Sequence, residues 1–395
     1  MMTPKPFNIM SKPIGPRCNI DCSYCYYLEK EEQFPDEKKF RMSDTVLETY
    51  VRELIAASQA AGMPETTFAW QGGEPTILGV GFFEKAVAFQ NQYAPAGMKI
   101  TNAFQTNGIL LDDDWGHFLH DNGFLVGISI DGPKQVHDRY RLDRAGRPTF
   151  DKVMKGLEVL QTHKVEHNAL TVVHRANSGK GKEIYRFLKG LGIEYMQFIP
   201  IVERAADGHL GKAPQIDMDP ELAVTPWSAS PKAYGKFLCE IFDIWFKKDI
   251  GKIFVQHFDT MLGKWLGVPG GVCVFAETCG DGLALEHNGN LYACDHFVYP
   301  EYLLGNITKT SLQDMLWTEE QAKFGTDKRD TLTRQCQNCE FRFACNGGCP
   351  KHRFAKSYKG QEGHNYFCEA YTMFFRHAGD RLTHMAREIR LSGRG

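Results

Sequence analysis

Three cysteines, Cys18, Cys22 and Cys25, stand at C-x3-C-x2-C spacing within Pro16-Arg17-Cys18-Asn19-Ile20-Asp21-Cys22-Ser23-Tyr24-Cys25-Tyr26-Tyr27. A loop this short wraps its thiolates round one small object. Four thiolates would close a tetrahedral zinc site, whereas three leave a coordination position open. A [4Fe–4S] cube held by three cysteines has one iron free to bind something else. The spacing therefore points to an iron–sulfur centre that holds a substrate or cofactor, more than to one that stores electrons.

A second group lies near the other end: Cys273, Cys279, Cys294, Cys336, Cys339, Cys345, Cys349 and Cys368. Eight thiolates suit two fully ligated [4Fe–4S] clusters, and equally a pair of zinc sites with four cysteines each. Asp295 directly follows Cys294. A carboxylate beside a cluster ligand can act as a general base next to an electron acceptor, or it can cap a turn or pair with a cation. His296 reads as structural. The remaining cysteine, Cys239, falls on an amphipathic helix, where a buried inert thiol is the default.

The elements that must position these groups alternate. Phe7 to Lys12 reads as a first strand that delivers the cysteine loop. A helix over 43–61 places Leu47, Tyr50, Val51, Leu54 and Ile55 on one face, with Ser43 or Asp44 as N-cap and Gly62 and Pro64 as its stop. Strand 67–70 runs into Gln71-Gly72-Gly73-Glu74-Pro75. A helix over 82–93 and strand 100–104 follow, the latter running into Gln105-Thr106-Asn107-Gly108. Helix 113–122, strand 124–130, helix 150–161, strand 167–173, helix 183–190 and strand 194–199 complete the run. About six strand–helix units call for a parallel sheet covered by helices, with chemistry at the carboxyl ends of the strands. The expected fold is α/β, a partial (β/α)6 TIM-like barrel.

Residues 203–230 lose the pattern and read as an irregular loop, a candidate wall for an extended substrate. A helix over 231–247 resumes it. Beyond 270 come short apolar pieces, many glycines and the eight cysteines, a second domain organised by metals more than by an apolar core. The expected division is 1–235 for the barrel, 236–270 for a helical connection, 271–380 for the cysteine-rich domain and 381–395 for a tail.

In a chain of 395 residues, a formal net charge of −2 argues against general nucleic-acid or anionic-membrane binding. No apolar run reaches the length of a bilayer span. The first ten residues lack a signal-peptide core, so a cytoplasmic protein is expected, and its twelve cysteines are better explained by metal ligation than by disulfides.

The cysteine loop resembles the signature of radical S-adenosylmethionine (SAM) enzymes, in which the open iron is chelated by SAM. Gly72-Gly73-Glu74-Pro75 resembles their GGEP motif, and the later cysteines match the SPASM signature with one extra member. With Trp70-Gln71 before GGEP and Asp295 after Cys294, nearly the whole chain resembles the anaerobic sulfatase-maturating enzymes. These oxidise a cysteine or serine of a sulfatase to Cα-formylglycine. The resemblance implies SAM and three [4Fe–4S] clusters as cofactors, and a sulfatase polypeptide and an electron donor such as flavodoxin or ferredoxin as partners.

It also implies roles for residues. Cys18, Cys22 and Cys25 hold the SAM-binding cluster. Cys273, Cys279, Cys294 and Cys349 hold a nearer auxiliary cluster, and Cys336, Cys339, Cys345 and Cys368 a farther one. Gly72, Gly73, Glu74, Pro75, Ser129, Arg141 and Tyr24 contact SAM; for the serine and arginine a strand end and a solvated side chain are the plain alternatives. Tyr27, Gln71 and Gln105 face the substrate, with core or wall positions as the alternative. A 5′-deoxyadenosyl radical abstracts hydrogen from the target Cβ, Asp295 takes the thiol or hydroxyl proton, and the nearer auxiliary cluster accepts an electron.

Two other readings remain open at this point. Another SPASM maturase would crosslink a ribosomal peptide, although such enzymes often carry an N-terminal recognition domain and only about ten residues precede the first strand here. A non-enzymatic iron–sulfur or zinc protein would not cleave SAM.

Overall fold

In a computed structural model the chain is described over residues 3–35, 37, 39–214, 218–269 and 271–392. It divides into two compact units. The first comprises Met1–Ser129, Tyr140–His167 and Gly280–Gly325; the second comprises Ile130–Arg139, Asn168–Cys279 and Thr326–Gly395.

In the first unit, β1 (Asn8–Lys12), β2 (Ile20–Cys22), β3 (Glu65–Trp70), β4 (Lys99–Thr106), β5 (Phe124–Ser129) and β6 (Arg141–Asp143) follow one another along the chain. β5, β4, β3 and β1 are neighbours in one sheet, all parallel. The helices Asp44–Ala60, Val80–Tyr93 and Asp113–Asp121 alternate with them, as the apolar periodicity predicts. β3 alternates in burial, and its Trp70 stacks on Phe68 and meets Tyr50 and Phe83 edge-on. The Trp70 indole N–H is spent on Asn102 Oδ1 at 2.8 Å. Trp70 is therefore a core residue of the helix-covered face.

Two features of this sheet lie outside the sequence expectation. Gly282–Glu286, beyond the cysteine Cys279, pairs parallel with β1, placing Lys12 opposite Glu286. Asn290–Tyr292 and Leu303–Asn306 then extend that edge antiparallel. Gly280–Gly325 thus belongs to the same compact unit as the first strands. Secondly, β2 and β6 form a small antiparallel pair that sets Cys22 opposite Arg141.

In the second unit the strands His167–Val173, Tyr195–Pro200 and Phe254–Val255 pair in parallel. The stretch 203–230, expected as irregular, contains a small antiparallel sheet of Arg204–Ala206, His209–Leu210 and Ala223–Val224. Strands of two or three residues are too short to show a period. Residues 215–217 within that stretch lie outside the described residues.

The cysteine-rich part also carries more apolar core than expected. The helix Cys368–Leu391 packs Phe374 onto Phe242 and Phe258, with ring centroids 5.6 Å apart in each case. Residues 381–391, expected in a tail, are the last turns of that helix, anchored by the buried Leu382 and Ala386 at i, i+4. Of the expected tail, 393–395 lie outside the described residues. Cys239 is buried as expected, and burial pushes its thiol up to about 11. No described helix is long and apolar enough to cross a membrane.

Candidate active site

The cysteine loop is held by the GGEP turn and by the end of β4. Gly73 N–H donates to Gly15 O at 2.8 Å, and Glu74 N–H to Arg17 O at 2.9 Å. A Cβ on Gly73 would fall 1.7 Å from Arg17 O. Gly72 takes φ +126°, where a Cβ would fall 3.0 Å from Gly15 O. The close approach these glycines allow in the structure is that of the cysteine loop's own backbone.

Glu74 is buried, with its carboxylate fully engaged by the chain. Oε1 accepts from Thr76 N–H at 3.0 Å and from the Thr76 and Thr106 hydroxyls at 2.6 and 2.8 Å; Oε2 accepts from Asn107 N–H at 2.7 Å. Burial raises its pKa even so. The Glu74 side chain thus ties the end of β3 to the end of β4. Asn107 continues the knot: its Nδ2 donates to Asn19 Oδ1 at 2.7 Å and approaches Cys18 Sγ at 3.8 Å.

The expected SAM contacts gather in the same unit. Tyr24 packs edge-on against Tyr140, and the Arg141 guanidinium lies 5.6 Å from the Tyr24 ring centre. Gln105 Nε2 donates to Ser129 Oγ at 3.1 Å, joining the ends of β4 and β5.

Asp295 begins a 3-10 turn just after the strand Asn290–Tyr292. Its Oδ1 lies 2.5 Å from Lys12 Nζ, and its Oδ2 accepts from the Tyr26 hydroxyl at 2.7 Å. Lys12 Nζ also donates to Gln71 Oε1 at 2.6 Å and sits 4.5 Å from the centre of the Tyr27 ring. Burial opposes ionisation of Asp295, but the Lys12 ammonium, His296 and the Tyr26 hydroxyl outweigh it and hold the carboxyl well below the usual range. Tyr27, expected to line the substrate channel, is 4% exposed, and its hydroxyl donates to Glu286. Its neighbour Tyr26 is the one that reaches Asp295.

Lys12 is the residue that sequence reasoning missed. It is 1% exposed and ends the first strand just before the cysteine loop, which was the available signal: a charge where the sheet carries its chemistry.

The thiols suit iron–sulfur clusters by their own chemistry. Burial pushes Cys18 up to about 12, with the Glu74 carboxylate adding to it, so the sulfur becomes a thiolate only when a metal replaces its proton. In the second unit the sulfurs sort into two sets by their mutual influence. Cys349 and Cys273 act on Cys279, and Cys273 on Cys349; Cys368, Cys336 and Cys339 act on Cys345, and Cys336 and Cys339 on Cys368. Burial pushes Cys279 and Cys345 each up to about 12. Cys294 lies in the first unit, immediately before Asp295.

This parallel sheet with its three-cysteine loop and distant cysteine sets defines a radical SAM enzyme with an iron–sulfur domain. Residues 13–188 match the Radical SAM superfamily and 273–340 match the SPASM iron–sulfur cluster-binding domain. The chain is 44% identical over 386 residues to a serine-type anaerobic sulfatase-maturating enzyme of Bacteroides thetaiotaomicron, covering 98% of this chain and 92% of that one. It is 32% identical to a cysteine-type enzyme of Clostridium perfringens, over 98% of this chain and the whole of the relative. The solved structure of native anSMEcpe with bound AdoMet and Kp18Cys peptide superposes with a TM-score of 0.82 at 32% identity, over 97% of this chain and 99% of that one. The chain belongs to the anaerobic sulfatase-maturating enzymes. Its cofactors are SAM and three [4Fe–4S] clusters.

Proposed function

We propose that this enzyme oxidises one cysteine or serine of a sulfatase polypeptide to Cα-formylglycine, with Asp295 as the base that takes the thiol or hydroxyl proton. The observation that carries this reading is the Lys12–Asp295–Tyr26 network. It keeps a carboxylate ionised beside the cysteine loop, with Lys12 and Tyr26 fixing one oxygen each. Proton transfer to that carboxylate requires it to loosen from Lys12 as the substrate seats, because a strongly depressed pKa makes a weak base. Gln71, bonded to Lys12, and Gln105 are assigned to the substrate side. Tyr27 is assigned to support Lys12 from behind, through its ring.

Cys18, Cys22 and Cys25 would hold the SAM-binding cluster, and the eight later cysteines the auxiliary ones. The backbone at Gly72–Pro75, with Tyr24, Ser129 and Arg141, would hold SAM. Bound there, cluster and SAM supply hydrogen-atom abstraction from an unactivated C–H bond, which no side chain performs. We assign the barrel to 1–235, a connection to 236–270 and the auxiliary domain to 271–380. The expected setting is the cytoplasm, with flavodoxin or ferredoxin as electron donor.

Incubating the reconstituted enzyme with SAM, reductant and a Cys-x-Pro-x-Arg or Ser-x-Pro-x-Arg peptide tests this. An aldehyde product, with sulfur lost from the cysteine peptide, is expected. A product that keeps its sulfur in a crosslink would assign the chain to a different peptide modification.

A further inference from the structure

The second unit buries two cations whose partners are all backbone oxygens. Lys328 is 1% exposed and Arg353 is 6% exposed. Lys328 Nζ donates to Cys273 O at 2.6 Å and Val274 O at 3.1 Å. Arg353 donates from Nε to Gly347 O at 3.2 Å, from Nη1 to Lys328 O at 2.6 Å, and from Nη2 to Asn346 O at 3.1 Å and Gly348 O at 3.4 Å. Among the described residues, no acidic side chain forms an ion pair with either. A buried charge without a counter-charge is costly, so the fold must supply negative charge another way.

The sulfurs supply it. Burial lowers the pKa of Lys328, and Cys349, Cys279 and Cys273 oppose it, all in one cysteine set and one of them the residue whose carbonyl Nζ holds. Burial lowers the pKa of Arg353 as well, opposed by Cys336 and Cys345 from the other set and by Cys349 and Cys279 from the first. A [4Fe–4S] cluster on four thiolates is net negative in either redox state, and one unit more so when reduced.

The seat of Arg353 is built into the chain. Asn346-Gly347-Gly348 is the bridge from Cys345, in one set, to Cys349, in the other. Its three residues take φ +47°, +73° and +64°, and all three carbonyls accept from the guanidinium. A Cβ on Gly347 would lie 2.8 Å from Arg353 Nη2 and 2.3 Å from Leu332 Cδ2.

We propose that Arg353 is a fixed positive charge shared by both auxiliary clusters, and that Lys328 serves only the cluster on the Cys273/Cys279/Cys349 set. Both are positioning residues that raise reduction potentials. The oxidation removes a hydrogen atom, a proton and one further electron from the substrate; a higher cluster potential makes that last electron easier to accept. The inference rests on the cysteines being cluster ligands.

The test is a redox titration of anaerobically reconstituted full-length enzyme followed by electron paramagnetic resonance, with iron counted on the same samples. Lys328→Gln should lower one auxiliary midpoint by at least a tenfold change in its one-electron equilibrium, about 59 mV, leaving the other in place. Arg353→Gln should lower both, and Arg353→Lys should restore most of that shift. Unmoved midpoints at full iron content, or Arg353→Lys behaving like Arg353→Gln, overturn the proposal. If Arg353→Gln fails to take up iron, Lys328→Gln alone decides by the same criterion. Wild-type protein without auxiliary iron would instead refute the ligand assignment beneath it.

Discussion

Lys12 and Asp295 stand far apart in the sequence, yet their charged atoms lie 2.5 Å apart. The pairing of β1 with Gly282–Glu286 delivers both, so the proposed base is set by a sheet edge that the chain closes only after Cys273 and Cys279.

Asp295→Asn should lower peptide oxidation by about 10²- to 10⁴-fold, the usual worth of a general base, while 5′-deoxyadenosine still forms from SAM. Chromatography of both products checks the uncoupling. Equal loss of both would remove the base role.

Lys12→Met acts on the same carboxylate through pH. The ammonium is the leading influence that holds the Asp295 pKa down against burial. Without it the pKa rises, so protonation sets in at higher pH. The acid limb of the peptide-oxidation profile should move upward, and an unmoved limb would contradict this electrostatic account.

Gly73→Ala places a methyl 1.7 Å from the Arg17 carbonyl oxygen. The cysteine loop must shift, and the expected result is loss of roughly four irons of twelve, the share of one [4Fe–4S] cluster. Iron and sulfide analysis reads it directly.

Glu74→Gln turns one acceptor oxygen into an N–H₂ group facing a backbone N–H or hydroxyls that donate to it. A donor set against a donor in a buried site costs on the order of 1–3 kcal/mol. Thermal unfolding should show that loss.

His287 is buried between Glu286 and Glu37. Burial lowers its pKa, but the two carboxylates prevail and raise it above its ordinary 6.5. A raised histidine contributes stability in full below 6.5 and loses it as pH climbs through the higher folded value. His287→Gln should flatten the dependence of Tm on pH just above 6.5; an unchanged slope would show that the pair carries no such linkage.

The strand–helix alternation and the cysteine spacings were legible because each is written locally. Helix 44–60 shows its apolar face in consecutive turns, and Cys18, Cys22 and Cys25 lie within eight residues. The GGEP turn was legible as a motif, but not what approaches its glycines: the Arg17 carbonyl comes near only when β1 and β3 pair. Short pairings such as β2 with β6, and the strands of 203–230, were invisible because two or three residues carry no period.

What the sequence determined alone is the chemistry on offer: thiols at cluster spacing, a carboxylate beside one of them, and a sheet that presents its carboxyl ends. Which side chains share a charge was decided by tertiary structure, because electrostatic partners are chosen by distance in space. Lys12 with Asp295, and Lys328 with the Cys273 carbonyl, are neighbours only once distant strands and turns have packed.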